Sequence, residues 1–207
     1  MIKGSLRAVC LVRSKIEMTL HLEKKAIRVL GIAESFRKDQ KYSTLAGVVM
    51  RSDLVIDGFA NDRLRVSGSD STNSALNLFK KLQRNDINAI MISGSVLSLY
   101  NVLDIDEIYK ELKIPVVALS FSKSRSNLAE NIKARFPEKV AKEKIRLLDK
   151  LGHSSRMKLA TGYEVFVRNA GINDNLSNRL LDRFTLQGSI PEPVRVARLF
   201  AKSIAKK

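Results

Sequence analysis

The apolar residues of this chain change their period part-way along, and that change limits the folds open to it. Between residues 26 and 66 they come in short, β-branched runs set off by turn residues. Ile27-Arg28-Val29-Leu30-Gly31-Ile32 and Leu45-Ala46-Gly47-Val48-Val49-Met50 read as buried strands. Leu54-Val55-Ile56-Asp57 extends the second run beyond a bulge or begins the next strand. Leu64-Arg65-Val66 alternates as a half-exposed strand does. Three or four strands joined by short turns predict an antiparallel meander. From residue 71 the spacing becomes helical, because Ala75, Leu76, Phe79 and Leu82 share one face of a helix over Ser71 to Arg84. Strands at 87–92 and 114–119 then alternate with a second helix. Asp104 opens that helix, Glu107 supports its first turn, and Ile105, Ile108 and Leu112 form its apolar face.

Strand–helix alternation implies parallel pairing through right-handed crossovers. The expected fold class is therefore α/β, a ribonuclease H-like mixed sheet in which an antiparallel meander precedes parallel strands, flanked by helices. Other α/β layouts share this coarse pattern, so periodicity alone leaves them open. The C-terminal third reads as helical. Ala141, Ile145 and Leu148 mark one helix, and Leu176, Leu180, Leu181 and Phe184 a second. Ala197, Phe200, Ala201 and Ile204 mark a third, entered through Pro193. Leu159 to Val167 reads as a strand or hairpin between the first two. No linker divides the chain, so residues 21–207 are expected to form one domain. Residues 1–20 are expected as an N-terminal extension, and Met18 is an alternative start. Charges interrupt the apolar residues of the first 25 positions, which argues against an export signal and for a cytoplasmic protein. No apolar run approaches the roughly 18 residues of a membrane span.

Thirty-seven Lys and Arg against 21 Asp and Glu leave a formal charge of +16. That excess favours a polyanionic partner, DNA first and RNA as the alternative, bound with strong salt dependence. Cys10 is the single cysteine, so neither a disulfide-linked partner nor a Cys-rich metal site is expected. The oligomeric state is left open. There is no glycine-rich dinucleotide fingerprint or phosphate loop, and His21 and His153 lie in no triad context. Strand-end carboxylates are what remain for catalysis. Glu34 directly follows the first apolar run; a solvated turn acid is the alternative. Asp70 precedes the first helix, where an N-cap is the alternative, and Asp57 precedes Gly58, where a turn is. Converging carboxylates repel unless a cation compensates, and a hard divalent ion both compensates and activates water. Pro191-Glu192-Pro193 fixes a helix entry from which Arg195 projects, placing it to hold a phosphate or to pair with a surface acid.

Several stretches together resemble the archaeal endonuclease V-related family, the endonuclease dU family. They are His21 to Phe36, Asp53 to Phe59, Asp70-Ser71-Thr72, Asn101 to Ile105, Glu164 to Gly171 and Gly188 to Ala197. Endonuclease V itself is similar more loosely, through Glu34, Ala160-Thr161-Gly162 and Pro191 to Arg195. The resemblance implies a DNA repair endonuclease, dependent on Mg²⁺ or Mn²⁺, that nicks near deaminated bases such as deoxyuridine. It carries over Glu34 and Asp70 as catalytic, metal-binding acids, with Asp57 as the candidate third ligand. Arg195, Lys123 and Arg125 become candidate nucleic-acid contacts; the latter two follow Phe121-Ser122, where relatives carry a cationic pair. Two positions depart from the family pattern. Ser93 stands where relatives have an Asp before Gly, and Arg198 where they carry His or Asp. Losing an acid and gaining a cation both disfavour a metal ion. The alternative expectation is thus a catalytically weakened or inactive nucleic-acid-binding protein on the same fold.

Overall fold

The computed structural model describes residues 26–121 and 127–205. The expected N-terminal extension, Lys123 and Arg125 lie outside the described residues. β1 (Arg28–Ser35), β2 (Tyr42–Arg51) and β3 (Ile56–Arg65) form the antiparallel meander. Leu54–Asp57 and Leu64–Val66 border or belong to the two ends of β3, so the meander has three strands; a register shift between Val49 and Met50 marks the bulge where β3 begins to pair. After α1 (Ser71–Lys81), β4 (Ala89–Ser93) lies parallel to β1. A small hairpin follows, β5 (Val96–Leu97) with β6 (Asn101–Val102), which the sequence pattern did not reveal. Then come α2 (Ile105–Leu112) and β7 (Val116–Ser120), the latter parallel to β4. The Asp104 side chain caps α2, as its spacing predicts, by accepting from the Glu107 N–H at 3.0 Å.

The chain continues through α3 (Leu128–Arg135), also unforeseen, and α4 (Glu138–Leu151). The stretch read as a strand or hairpin resolves into the turn and second strand of a hairpin, β8 (Ser155–Lys158) with β9 (Glu164–Ala170). β9 pairs antiparallel with β7, so the parallel part of the sheet ends there. α5 (Asp174–Phe184) and α6 (Glu192–Ile204) complete the fold, with the sheet in the order β3-β2-β1-β4-β7-β9-β8.

Strand alternation sends residues to two cores. Leu30, Ile32, Ile90, Ile92, Val116 and Ala118 pack with α1 and α2 on one face. Val29, Met91, Val117, Leu119 and Val167 pack with residues of α5 and α6 on the other. The central strands β1, β4 and β7 are buried on both faces, which is why they read as nearly continuous apolar runs. α6 lies unusually close to β1. A Cβ at Gly31 would stand 2.2 Å from the Pro193 carbonyl carbon, so only glycine admits that contact.

Candidate functional site

Because β1, β4 and β7 run parallel, their carboxyl ends share one edge of the sheet, the place where open α/β sheets bind ligands. Glu34 and Ser93 stand there at the ends of β1 and β4. The chain leaves β4 through Gly94, at φ +96°, and enters the β5–β6 hairpin. The turn of that hairpin, Ser98-Leu99-Tyr100, has φ values of 39°, 55° and 69° in succession. Three non-glycine residues in left-handed backbone cost about 1–2 kcal/mol each, so other interactions must hold the turn. Glu34 supplies them. Its two carboxylate oxygens accept from the Ser98 N–H at 2.9 and 3.1 Å. The Ser98 hydroxyl donates to the same carboxylate, as does the Ser43 hydroxyl at 3.3 Å.

Asp70 is tied to the other end of that turn. It stands at the N-cap position of α1 without capping it. Its carboxylate instead accepts from the Arg65 N–H, at 3.2 and 3.1 Å, and from the Asn101 side-chain amide at 2.7 Å. Asn101, fully buried, takes over the capping role by accepting from the Ser71 N–H at 3.0 Å. Lys144 closes the assembly from α4. Its side chain, 1% exposed, donates to the carbonyls of Gly68 and Tyr100 and lies 4.7 Å from the Phe136 ring centroid. Burial pulls the Lys144 pKa below its ordinary value, while the Asp70 charge acts against that pull.

The structure thus brings Glu34 and Asp70 to one edge of the sheet, bridged by residues 98–101. It does not bring Asp57 to them. Asp57 lies at the start of β3, where Arg28 Nε donates to it at 2.5 Å and Arg84 Nη2 at 3.3 Å. Arg28 and Glu34 occupy opposite ends of β1, roughly 20 Å apart at ~3.3 Å per residue. The hydrogen bond from Arg28, with the charges of Arg28 and Arg84, holds the Asp57 carboxyl below the usual carboxylate range. It is a structural ion pair rather than a third metal ligand.

A divalent ion requires carboxylate lone pairs that face each other and are free. Here the Glu34 lone pairs meet Ser98 and Ser43, and those of Asp70 meet Arg65 and Asn101 with an ammonium nearby. Among the described residues, no three His, Cys, Asp or Glu side chains are grouped to hold a metal. In this arrangement the acids do not fit the ion that the family resemblance implies.

The two departures from the family pattern meet. Arg198 Nη2 donates to Ser93 Oγ at 2.8 Å, and the guanidinium lies 5.3 Å from the Phe121 ring centroid. Arg195, one turn earlier on α6, donates to Glu192 at 2.8 Å; Glu192 is 4% exposed, so of the two roles expected for Arg195 the pairing with an acid is the one present here. Four contributors escaped the sequence reading: Ser43, Ser98, Asn101 and Lys144. Lys144 did leave a signal, because a lysine three residues after Ala141 and four before Leu148 stands in the apolar stripe of α4.

The fold is that of the ribonuclease H-like nucleases of the endonuclease V kind. Human endonuclease V superposes with a TM-score of 0.58 at 16% identity, over 86% of this chain and 84% of that one. Endonuclease V of Ciona intestinalis, solved with a 24mer DNA containing an inosine, gives 0.57 at 13% identity, over 88% and 86%. A structurally solved Archaeoglobus fulgidus protein of unknown function gives 0.72 at 22% identity, over 87% and 99%. The sequence pattern of the Endonuclease dU family matches residues 25–205, and the chain belongs to that family. Among its relatives, a UPF0215 protein of Pyrobaculum calidifontis is 31% identical over 175 residues, covering 84% of this chain and 95% of its own length. One of Thermoplasma volcanium is 32% identical over 185 residues, covering 89% and 93%. Among the described residues no helix is long and apolar enough to cross a membrane.

Proposed function

We propose that this protein binds nucleic acid without requiring a metal ion, on a fold inherited from the endonuclease dU family. One observation carries the reading: both oxygens of the Glu34 carboxylate already accept hydrogen bonds, from Ser98 and, at one of them, from Ser43 as well. The Ser93–Arg198 pair supports it, since it sets a positive charge where relatives place ligands for one. The charge of +16 and the DNA-bound endonuclease V of Ciona intestinalis support the choice of partner.

A second reading is a Mg²⁺- or Mn²⁺-dependent repair endonuclease that nicks DNA near deoxyuridine or another deaminated base. It is favoured by the position of Glu34 and Asp70 on one edge of the sheet. It requires residues 98–101 to release both acids. The two are separated by measuring binding and nicking together, on uracil-containing, hypoxanthine-containing and undamaged DNA and on RNA, in EDTA and in each metal. The expected result is salt-sensitive binding that persists in EDTA and is not strengthened by either metal, and no nicking above that of Glu34→Ala. Metal-dependent cleavage that Glu34→Ala abolishes would establish the second reading instead.

A further inference from the structure

Several arginines sit beside an acid, and two half-buried ones do not. Arg28, Arg51, Arg84, Arg156 and Arg195 each contact a carboxylate. Arg198 and Arg168, both half-buried, are held instead by neutral groups. Arg198 donates to Ser93 Oγ at 2.8 Å; Arg168 donates to Ser95 Oγ and to the Gly152 carbonyl, each at 3.2 Å. Among the described residues neither makes an ion pair. Burial without a countercharge depresses the Arg168 pKa, a sign that its charge is held at a cost.

Their placement is specific. Ser93, Gly94 and Ser95 are the residues through which the chain leaves the central strand β4. Arg198 comes to this turn from α6, on one face of the sheet. Arg168 comes from β9, whose residues 168 and 170 share the opposite face with Ala118. Two guanidinium groups therefore bracket the carboxyl end of β4. A guanidinium carries five N–H donors, and Arg198 directs one to Ser93 while the Phe121 ring steadies its plane. Its other donors have no protein acceptor among the described residues. A half-buried, oriented, unneutralised fork is suited to the paired oxygens of a phosphate.

We infer that Arg198, oriented by Ser93 and Phe121, directly receives one backbone phosphate of a nucleic acid at the carboxyl end of β4, with Arg168 on Ser95 as the second charge facing that turn. This rests on the nucleic-acid-binding reading above and adds the contact that replaces a metal ion. The phosphate is bound as an anion and no bond is broken.

The test is the slope of log Kobs against log salt, measured in EDTA on duplex and single-stranded DNA of one length. Removing one phosphate contact lowers that slope by about 0.9 on duplex and about 0.7 on single strands. Arg198→Ala is expected to show this loss. Arg198→Lys should keep the slope but bind more weakly, since a point charge replaces the fork. Ser93→Asp leaves the arginine in place and supplies it with a carboxylate, so it should reproduce the Arg198→Ala slope. Arg168→Ala should weaken binding in the same direction. Thermal melting of each variant verifies folding. Unchanged slopes in both Arg198→Ala and Ser93→Asp, with binding intact, would overturn the phosphate contact and leave the binding function standing. Absence of wild-type binding at low salt would overturn both.

Discussion

Lys144 is the residue on which the local architecture leans most heavily. Its ammonium is nearly inaccessible to water and satisfies the carbonyls of two turns that meet α4. Lys144→Met keeps much of the stem's packing but strands both carbonyls, and should cost about 1–3 kcal/mol in denaturant unfolding. The pH dependence has a definite sign. Burial sets the folded pKa below the ordinary 10.5, so between those two values the unfolded chain holds more protons. Stability contributed at this site therefore rises with pH across that window and is flat below it. Wild type should show that rise in unfolding titrations at alkaline pH, and Lys144→Met should lack it.

At the scale of elements, α6 meets β1 backbone to side-chain position at Gly31, with no room for a Cβ. Gly31→Ala places a methyl group inside the Pro193 backbone, so α6 must shift as a unit. Overpacking of this kind typically costs about 1–3 kcal/mol. A thermal melt of Gly31→Ala should show that loss, and a melt matching wild type would mean that α6 accommodates freely. The elements themselves were largely legible. Apolar runs gave β1, β2, β4 and β7, and helical spacing gave α1, α2 and α4 through α6, because each buries a wide apolar face. What escaped was short or irregular. β5 and β6 have two residues each and are held by side-chain bonds to Glu34 and Asp70, which leave no periodic trace. α3 has one fully buried residue, Ile132, too little for an apolar stripe. The site was legible only as positions. Sequence placed Glu34 at a strand end and Asp70 before a helix, but the partners that join them through the hairpin, Ser98 and Asn101, lie at sequence separations of 64 and 31 residues, beyond any local pattern. Asp57 misled because an Asp-Gly pair looks alike at either end of a sheet.

Over the whole molecule, the excess of positive charge acts against compactness as well as for association. With +16 on a chain of 207 residues, self-repulsion is screened as the Debye length falls from about 30 Å at 0.01 M ionic strength to about 8 Å at 0.15 M. The melting temperature should rise over that range while affinity for nucleic acid falls. Opposite trends in one titration separate repulsion within the chain from attraction to its partner. A melting temperature that falls in parallel with affinity would instead mean that surface ion pairs such as Arg156–Glu164 dominate the balance.

The left-handed turn at Ser98-Leu99-Tyr100 has a thermodynamic corollary. Its unfavourable backbone persists because one carboxylate clasps it, so the hairpin and the acid behave as a latch and its catch. A cation that displaced the Ser98 donors from Glu34 would have to spring that latch, and its apparent affinity would be reduced by the work of doing so. For such a ligand, the energy stored in the turn and the bond that restrains it are released together.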